Sequence, residues 1–187
     1  MKNRATWDEY LHDFEQILSA ENPVEPYDDP DFLEYAKLNQ SRQKRWLKVG
    51  KVNEKIATTI KAIEAPQTWY LITEPWCGDA SHNAPFIAMV SELNDKIELK
   101  IVRRDTEPSL IDDYLTDGGK AIPKLVIRDE QDNDLHVWGP RPSGAQKIHH
   151  ELKAEDADFE KQKVVLQKWY NNDKGESIQK ELLELLS

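Results

Sequence analysis

Apolar residues near the start of the chain recur at steps of three and four, the spacing of a helix with one buried face. This stripe occupies residues 10–18 and follows a capping pair, Thr6 and Glu9, whose side chains can each accept a hydrogen bond from the other's backbone N–H. We therefore predict a first helix that ends just before the first of three prolines. Those prolines lie within residues 20–30 and predict an extended connector.

A second apolar stripe predicts a longer helix over residues 40–65. Its buried face would consist of residues that again recur at steps of three and four, namely Trp46, Val49, Val52, Ile56, Ile60 and Ile63. Gly50 lies inside this stripe, where we expect it to weaken the helix without breaking it.

The apolar spacing changes after residue 68 and indicates short strands alternating with helices. In chain order, we predict a strand at 69–73, a helix at 79–93, a strand at 97–103, a short helix at 110–115, and a hairpin of two strands at 125–127 and 135–138. Residues 144–186 return to helical spacing. This order of elements predicts an α/β domain.

Charge and hydropathy disfavour two kinds of partner. The 187 residues carry 25 basic and 35 acidic side chains, a net charge of −10, and nucleic acid is therefore not expected because phosphate binding needs a positive surface. A basic cluster on the second predicted helix is expected to be its solvated side: Arg42, Lys44, Arg45, Lys48 and Lys51. The longest apolar run, 86–90, is far shorter than the roughly 20 residues of a membrane span. With no apolar stretch after the basic start, we expect a soluble, cytoplasmic protein.

The cysteine and histidine content argues against a metal site. The chain has one cysteine, so it can form neither an intramolecular disulfide nor a cysteine-rich zinc site by itself. The five histidines lack metal-binding spacing, and the adjacent pair His149 and His150 would point about 100° apart on a helix. We expect no metal and no cofactor.

The single cysteine, Cys77, lies where a predicted strand passes into a predicted helix. The free N–H groups and positive dipole end of a helix favour the thiolate over the thiol, and Trp76 could shield one side of the sulfur. Two nearby carboxylates, Glu74 and Asp79, oppose the thiolate if they are ionised. A lone cysteine can also be a small buried apolar residue.

The run Trp76-Cys77-Gly78-Asp79-Ala80 resembles the Trp-Cys-Gly-Pro-Cys signature of the thioredoxin superfamily. Other residues have the family's spacing. Pro85, eight residues after Cys77, matches the proline that kinks the active-site helix, and Ile122-Pro123 resembles the cis-proline loop that lies against the active-site sulfur. Gly139 matches the glycine that lets a substrate chain approach.

The resemblance implies a thioredoxin-like fold with a central mixed sheet of about four strands flanked by helices. It places a thioredoxin-like domain at residues 55–155, with an N-terminal helical extension at 1–54 and a C-terminal helical extension at 156–187. The apolar stripes of these extensions must pack against either the sheet or a second copy of the chain, so the oligomeric state stays open.

The sequence departs from the family at the residues that a dithiol enzyme uses for catalysis. Ala80 replaces the second cysteine, and Asp79 replaces the proline of the motif. Leu71 stands where dithiol members carry a buried carboxylate, and Ile101 aligns with the lysine that accompanies it. Because the second thiol normally attacks the mixed disulfide and releases the product, an ordinary dithiol reductase is excluded.

Three functions remain compatible with the sequence. Cys77 could be the catalytic nucleophile of a monothiol oxidoreductase in cell redox homeostasis, acting on protein disulfides while an external low-molecular-weight thiol such as glutathione resolves the intermediate. It could instead be a redox-sensing thiol that cycles through sulfenic acid. Alternatively, the fold could be a non-catalytic module that binds peptide or protein, with Cys77 only packing.

The resemblance also implies a substrate groove around Cys77. Its predicted walls are Trp76, Gly78, Asp79, Ile122, Pro123, Trp138 and Gly139. Trp138 could equally pack against the C-terminal helices, and Arg141 could contact a carboxylate or phosphate. Asp79 could have a purely structural role in the first helical turn. His82 is expected to face solvent because it lies about one and a half turns after Cys77.

Overall fold

A four-stranded mixed sheet forms the centre of the protein, whose computed structural model describes residues 4–187. The strands are β1 (Gln67–Thr73), β2 (Ile97–Arg103), β3 (Lys124–Arg128) and β4 (Asp134–Trp138), in the sheet order β2-β1-β3-β4. β1 pairs with β2 in parallel and with β3 antiparallel, and β3 pairs antiparallel with β4. The prediction of an α/β fold with a mixed sheet of about four strands is confirmed.

Helices cover the sheet and extend beyond it at both ends of the chain. They are α1 (Trp7–Ser19), α2 (Pro30–Val49), α3 (Glu54–Lys61), α4 (Gly78–Ser91), α5 (Ser143–Ala154), α6 (Phe159–Asp173) and α7 (Glu176–Leu186), with a 3-10 turn at Leu110–Asp113. Within residues 4–187, no helix combines the length and the apolar character needed to cross a bilayer.

The first helix begins as its sequence predicts. Thr6 is the N-cap of α1, and its hydroxyl accepts the Glu9 backbone N–H at 3.2 Å. The Glu9 carboxylate accepts the Thr6 backbone N–H at 2.9 Å. These reciprocal bonds satisfy N–H groups that have no partner inside the helix, so the predicted capping box is confirmed.

The prediction of one helix over residues 40–65 is wrong, because the chain turns after Val49. Gly50 ends α2 and is packed so closely that a Cβ atom there would lie 2.5 Å from the Trp46 carbonyl oxygen and 3.1 Å from the Phe86 ring. Asn53 then caps α3 by accepting the Lys55 N–H at 2.8 Å. The close packing of Gly50 against its own helix and against α4 requires glycine at this turn, and the local apolar spacing does not reveal that contact.

The C-terminal helices pack back onto the centre of the molecule. Gly175 separates α6 from α7 with a φ of +79°, and a Cβ atom at that position would lie 2.3 Å from the Phe86 ring of α4. Ile178 and Leu182 of α7 are fully buried in the same core as Trp69 of β1. Both helical extensions therefore bury apolar residues within the chain itself, and together they enclose one face of α4.

Candidate functional site

Cys77 sits at the start of α4, against the loop that precedes β3. Its Sγ accepts the Ala80 backbone N–H at 3.4 Å, and its S–H donates to the Ile122 carbonyl oxygen at 3.3 Å. The Ile122–Pro123 peptide bond is cis. The fold thus brings together Cys77 and the Ile122-Pro123 loop, which are 45 residues apart in the chain.

The Cys77 sulfur is held as a thiol. The residue is only 6% exposed, and burial, followed by the negative charge of Asp79, raises the pKa of Cys77 to about 12. The Ala80 N–H and the charge of Arg141 lower this pKa, but they are outweighed. The helix end favours a thiolate, but removing the charged sulfur from water costs more than the helix end returns, and Asp79 opposes the thiolate as the sequence suggested.

Asp79 links the start of α4 to two distant parts of the chain. Its Oδ2 atom lies 2.7 Å from Nη2 of Arg141, and its Oδ1 accepts the Tyr170 hydroxyl at 2.8 Å. The Asp79 and Arg141 side chains are only 13% and 14% exposed. Burial and the charge of Asp79 raise the pKa of Tyr170, which keeps that hydroxyl a proton donor. Arg141 thus contacts a carboxylate, as was considered possible, but the carboxylate is part of the protein.

His82 does not face solvent, and that prediction is wrong. The ring is buried, stacks on Tyr170 with centroids 4.5 Å apart, and accepts the Trp46 indole N–H on Nδ1 at 2.9 Å. Its Nε2 therefore carries the proton and donates to Oε1 of Gln167 at 3.2 Å. Burial lowers the pKa of His82 to about 3, so the ring is neutral. The face of α4 that carries His82 is covered by α2 and α6.

Trp138 and Gly139 lie behind the Ile122-Pro123 loop. Trp138 is buried in the core, and its indole N–H donates to Oε2 of Glu181 on α7 at 2.7 Å, so it packs against a C-terminal helix. Gly139 has a φ of +117°, and a Cβ atom there would lie 2.3 Å from the Pro123 carbonyl oxygen. Glycine is required here by this close approach. Both residues support the loop, and neither borders the open space beside Cys77.

A cavity of about 310 Å³ opens beside Cys77. Four of the predicted groove residues line it, namely Trp76, Gly78, Asp79 and Ile122. The opposite wall comes from α2 and α6 and consists of Tyr35, Arg42, Phe159, Gln162, Lys163, Leu166, Gln167 and Tyr170. No sequence motif marks this wall, so its residues were not predicted. The nearest signal was the basic cluster containing Arg42, which was interpreted as solvated.

The cavity is positive although the chain is acidic. Its lining includes five cationic side chains, Arg42, Arg104, Lys120, Arg141 and Lys163, and Asp79 is the one acidic residue among the described residues that line it. Burial lowers the pKa of His149, which also lines the cavity, to about 4, so this histidine is neutral like His82. Within residues 4–187, no group of His, Cys, Asp and Glu side chains has the geometry to hold a metal ion.

Comparisons with known proteins bear on the fold and on the family. A family model described as thioredoxin matches residues 27–156. No curated protein matches the chain. Two solved structures resemble it over nearly its whole length. A protein of unknown function from Pseudomonas aeruginosa is 19% identical, with 97% of each chain covered and a TM-score of 0.56. An HIV epitope-scaffold is 18% identical, with 97% of this chain and 98% of the scaffold covered and a TM-score of 0.57.

Proposed function

The chain belongs to the thioredoxin family, and from that premise we propose that it is a binding protein that has kept the family's fold without its disulfide turnover. In this proposal, the cavity beside Cys77 receives a ligand, and Cys77 remains a protonated thiol in its wall. The observation that carries the proposal is the S–H group of Cys77, which is buried and donates to the Ile122 carbonyl oxygen.

The state of the sulfur argues against turnover. A thiolate, and not a thiol, attacks a disulfide, and a pKa of about 12 leaves roughly one part in 10⁵ of Cys77 as thiolate at pH 7. The sequence contains no second cysteine to release a mixed disulfide. Asp79, fixed by Arg141, keeps a negative charge beside the sulfur.

The contacts of Cys77 with Ile122 also favour a ligand that approaches from the side of α2 and α6. Family members that bind extended peptides do so through backbone groups at the cis-proline, a form of strand addition. Here the Ile122 carbonyl oxygen already accepts the Cys77 S–H, and Ile122 is only 5% exposed. The open space lies between Cys77 and the wall formed by α2 and α6, which favours a small ligand over an extended chain.

A monothiol oxidoreductase, or a redox-sensing thiol, is the second candidate. The observation in its favour is that Cys77 borders the cavity and its Sγ accepts the Ala80 N–H, a bond that stabilises a thiolate. In this scheme, the Cys77 thiolate attacks a disulfide, one sulfur leaves as a thiolate, and an external thiol then reduces the mixed disulfide and restores Cys77.

Alkylation of Cys77 separates the two candidates. We expect iodoacetamide to modify the native protein at pH 8 at least a hundredfold more slowly than the urea-unfolded protein, because Cys77 is buried and protonated. The Cys77→Ser variant supplies the background rate. Rapid alkylation of the native protein, together with a glutathione mixed disulfide that added thiol cleaves with turnover, would replace the binding proposal with the monothiol oxidoreductase.

A further inference from the structure

Arg42 is the cation of the cavity whose charge is not balanced. Its guanidinium donates from Nη1 to Oδ1 of Asn39 at 2.8 Å, and a Cβ atom on Gly78 would lie 3.8 Å from the same nitrogen. Asn39 is buried and donates to the Pro75 carbonyl oxygen at 2.9 Å. The Arg42 side chain is therefore fixed against the loop that leads to Cys77, and its guanidinium lies beside the first residue of α4.

The other four cations of the cavity each have a carboxylate partner. Arg141 pairs with Asp79, Arg104 with Asp105, Lys120 with Asp112 and Lys163 with Glu160, at N···O distances of 2.6–2.7 Å. Of the carboxylates in residues 4–187, none forms such a pair with Arg42, although the residue is half-buried. Arg42 is thus left without a carboxylate in contact, although the charge of Asp79 acts on it from farther away, and burial lowers its pKa because the positive charge is costly to shield from water.

Two other residues that line the cavity carry buried polar atoms without partners within residues 4–187. Nε of Arg141 and Nδ1 of His149 are shielded from solvent and have no hydrogen-bond partner among the described residues, and both side chains line the cavity. Buried polar groups are nearly always hydrogen-bonded, and the Arg141 Nε–H can only donate. Because this Nε–H is shielded even from water, an anion in the cavity would contact the Arg42 guanidinium and not this donor.

A groove with a mostly apolar surface continues from the positive cavity, and its rim also carries the charged residues Asp31, Glu34, Arg104, Asp105, Glu160 and Lys163. It has a volume of about 810 Å³ and shares Tyr35, Trp76 and Phe159 with the cavity as common walls. Phe32 and Leu38 of α2 line only the groove and are 40% and 46% exposed. The shared residue Phe159 is 64% exposed. Exposed apolar side chains gathered along one groove indicate an apolar ligand surface.

We propose that this site binds a small monocarboxylate with an apolar tail. The carboxylate contacts Arg42, whose planar guanidinium can bind both carboxylate oxygens. The tail extends past Tyr35 and Phe159 into the apolar groove. One negative charge matches the one unbalanced cation, which favours a carboxylate over a doubly charged phosphate. The inference rests on the proposed binding function and names its ligand class.

Calorimetric titration of the full chain with octanoate tests the proposal. We expect saturable binding of one octanoate per chain, and at least tenfold weaker binding of 1-octanol, octylammonium and inorganic phosphate. Equal binding of octanoate and 1-octanol would overturn the role of the charge. Tighter binding of phosphate than of octanoate would overturn the choice of a carboxylate, and absence of octanoate binding would overturn the whole inference.

Substitution of Arg42 locates the binding site. Arg42→Gln should weaken octanoate binding at least tenfold, whereas Arg45→Gln, on the same helix but outside the cavity, should leave it unchanged. Phe159→Ala provides a second test that does not depend on Arg42, because this exposed side chain can be shortened with little effect on folding; we expect octanoate to bind about fivefold more weakly. Unchanged binding in both Arg42→Gln and Phe159→Ala would place octanoate elsewhere and contradict the inference.

The two proposals fail in different ways. If octanoate does not bind but Cys77 remains slow to alkylate, the ligand class is wrong and the binding function stands. If Cys77 alkylates rapidly and turns over a mixed disulfide, the binding function itself fails, whatever the octanoate titration gives.

Discussion

The two walls around Cys77 come from regions with different sequence signals. The sheet-side wall consists of the motif and the Ile122-Pro123 loop, which a short run of residues and its spacing identify. The helical wall consists of α2 and α6, and it places Arg42 and Tyr170 on the far side of the same cavity, where no sequence motif marks them. Taken alone, the sheet-side wall suggests a reactive cysteine.

The helical wall changes the chemistry that the sheet-side wall would support. Its Tyr170 hydroxyl donates to Asp79, whose negative charge raises the pKa of Cys77, whereas the residues that bury Cys77 come from the sheet and its neighbouring loops. Burial and this charge both raise the pKa of Cys77. A family motif therefore identifies the position of a cysteine more reliably than its reactivity, since reactivity depends on what covers the site.

Removal of the Asp79 charge should have the largest effect on the free energy of unfolding. Asp79→Asn leaves the Arg141 guanidinium buried without its carboxylate, and we expect the free energy of unfolding to fall by about 3–5 kcal/mol. In the same variant, Cys77 should alkylate faster, because Asp79 no longer raises its pKa. Urea unfolding and iodoacetamide kinetics measure the two effects.

The control for Asp79→Asn is Glu15→Gln, which removes an exposed ion pair with Lys44. Exposed pairs contribute at most about 1 kcal/mol, so this variant should unfold almost like the wild type. Equal losses in the two variants would mean that the buried Asp79–Arg141 pair stabilises the fold no more than an exposed pair does.

Acid should lower the free energy of unfolding because His82 of α4 becomes protonated in the unfolded chain. In the unfolded chain this histidine has an ordinary pKa near 6.5, whereas in the folded protein its pKa is about 3. The unfolded state therefore binds the extra proton first, and stability falls as the pH drops below 6.5. The expected loss is about 2 kcal/mol between pH 7 and pH 5.

The His82→Gln variant isolates this effect, since glutamine can still accept the Trp46 indole N–H but does not titrate. Its stability should depend less on pH than that of the wild type over the same range, as measured by urea unfolding at pH 7, 6 and 5. The neutral His149 is present in both proteins, so its contribution cancels. Parallel pH profiles would contradict the burial of a neutral His82.

Loss of the Tyr170 hydroxyl should lower the free energy of unfolding by a smaller amount. Tyr170→Phe keeps the ring that stacks on His82 but removes the bonds to Asp79 and Asn83, and a hydrogen bond to a charged group contributes about 1.5 kcal/mol or slightly more. Tyr114→Phe, whose hydroxyl bonds to the exposed Asp134, is the matched control and should cost less. A larger loss for Tyr114→Phe in urea unfolding would contradict this ranking.

The sequence predicted the elements whose signals are local. The Thr6 capping box, the strands of the sheet and the start of α4 near Cys77 follow from neighbouring residues, and the family resemblance supplied the α/β fold. The turn at Gly50 packs against Phe86, which is distant in the chain, so apolar spacing could not reveal that contact. Likewise, His82 is buried because α2 brings Trp46 and α6 brings Tyr170 against its ring.

The candidate site was predicted on one side only. Trp76, Gly78, Asp79 and Ile122 border the cavity, whereas Trp138 packs against α7. The residues of the helical wall could not be found from the sequence, because only the folded chain brings α2, α4 and α6 together.

The pKa of Cys77 tests the central claim most directly. Thiolate absorbance near 240 nm, followed against pH in the native protein with Cys77→Ser as the blank, reports this pKa without any added reagent. The account predicts that no thiolate forms below about pH 10, because the thiol is buried, hydrogen-bonded to Ile122 and next to Asp79. A titration midpoint at pH 8.5 or below would contradict it and would identify Cys77 as a reactive thiol.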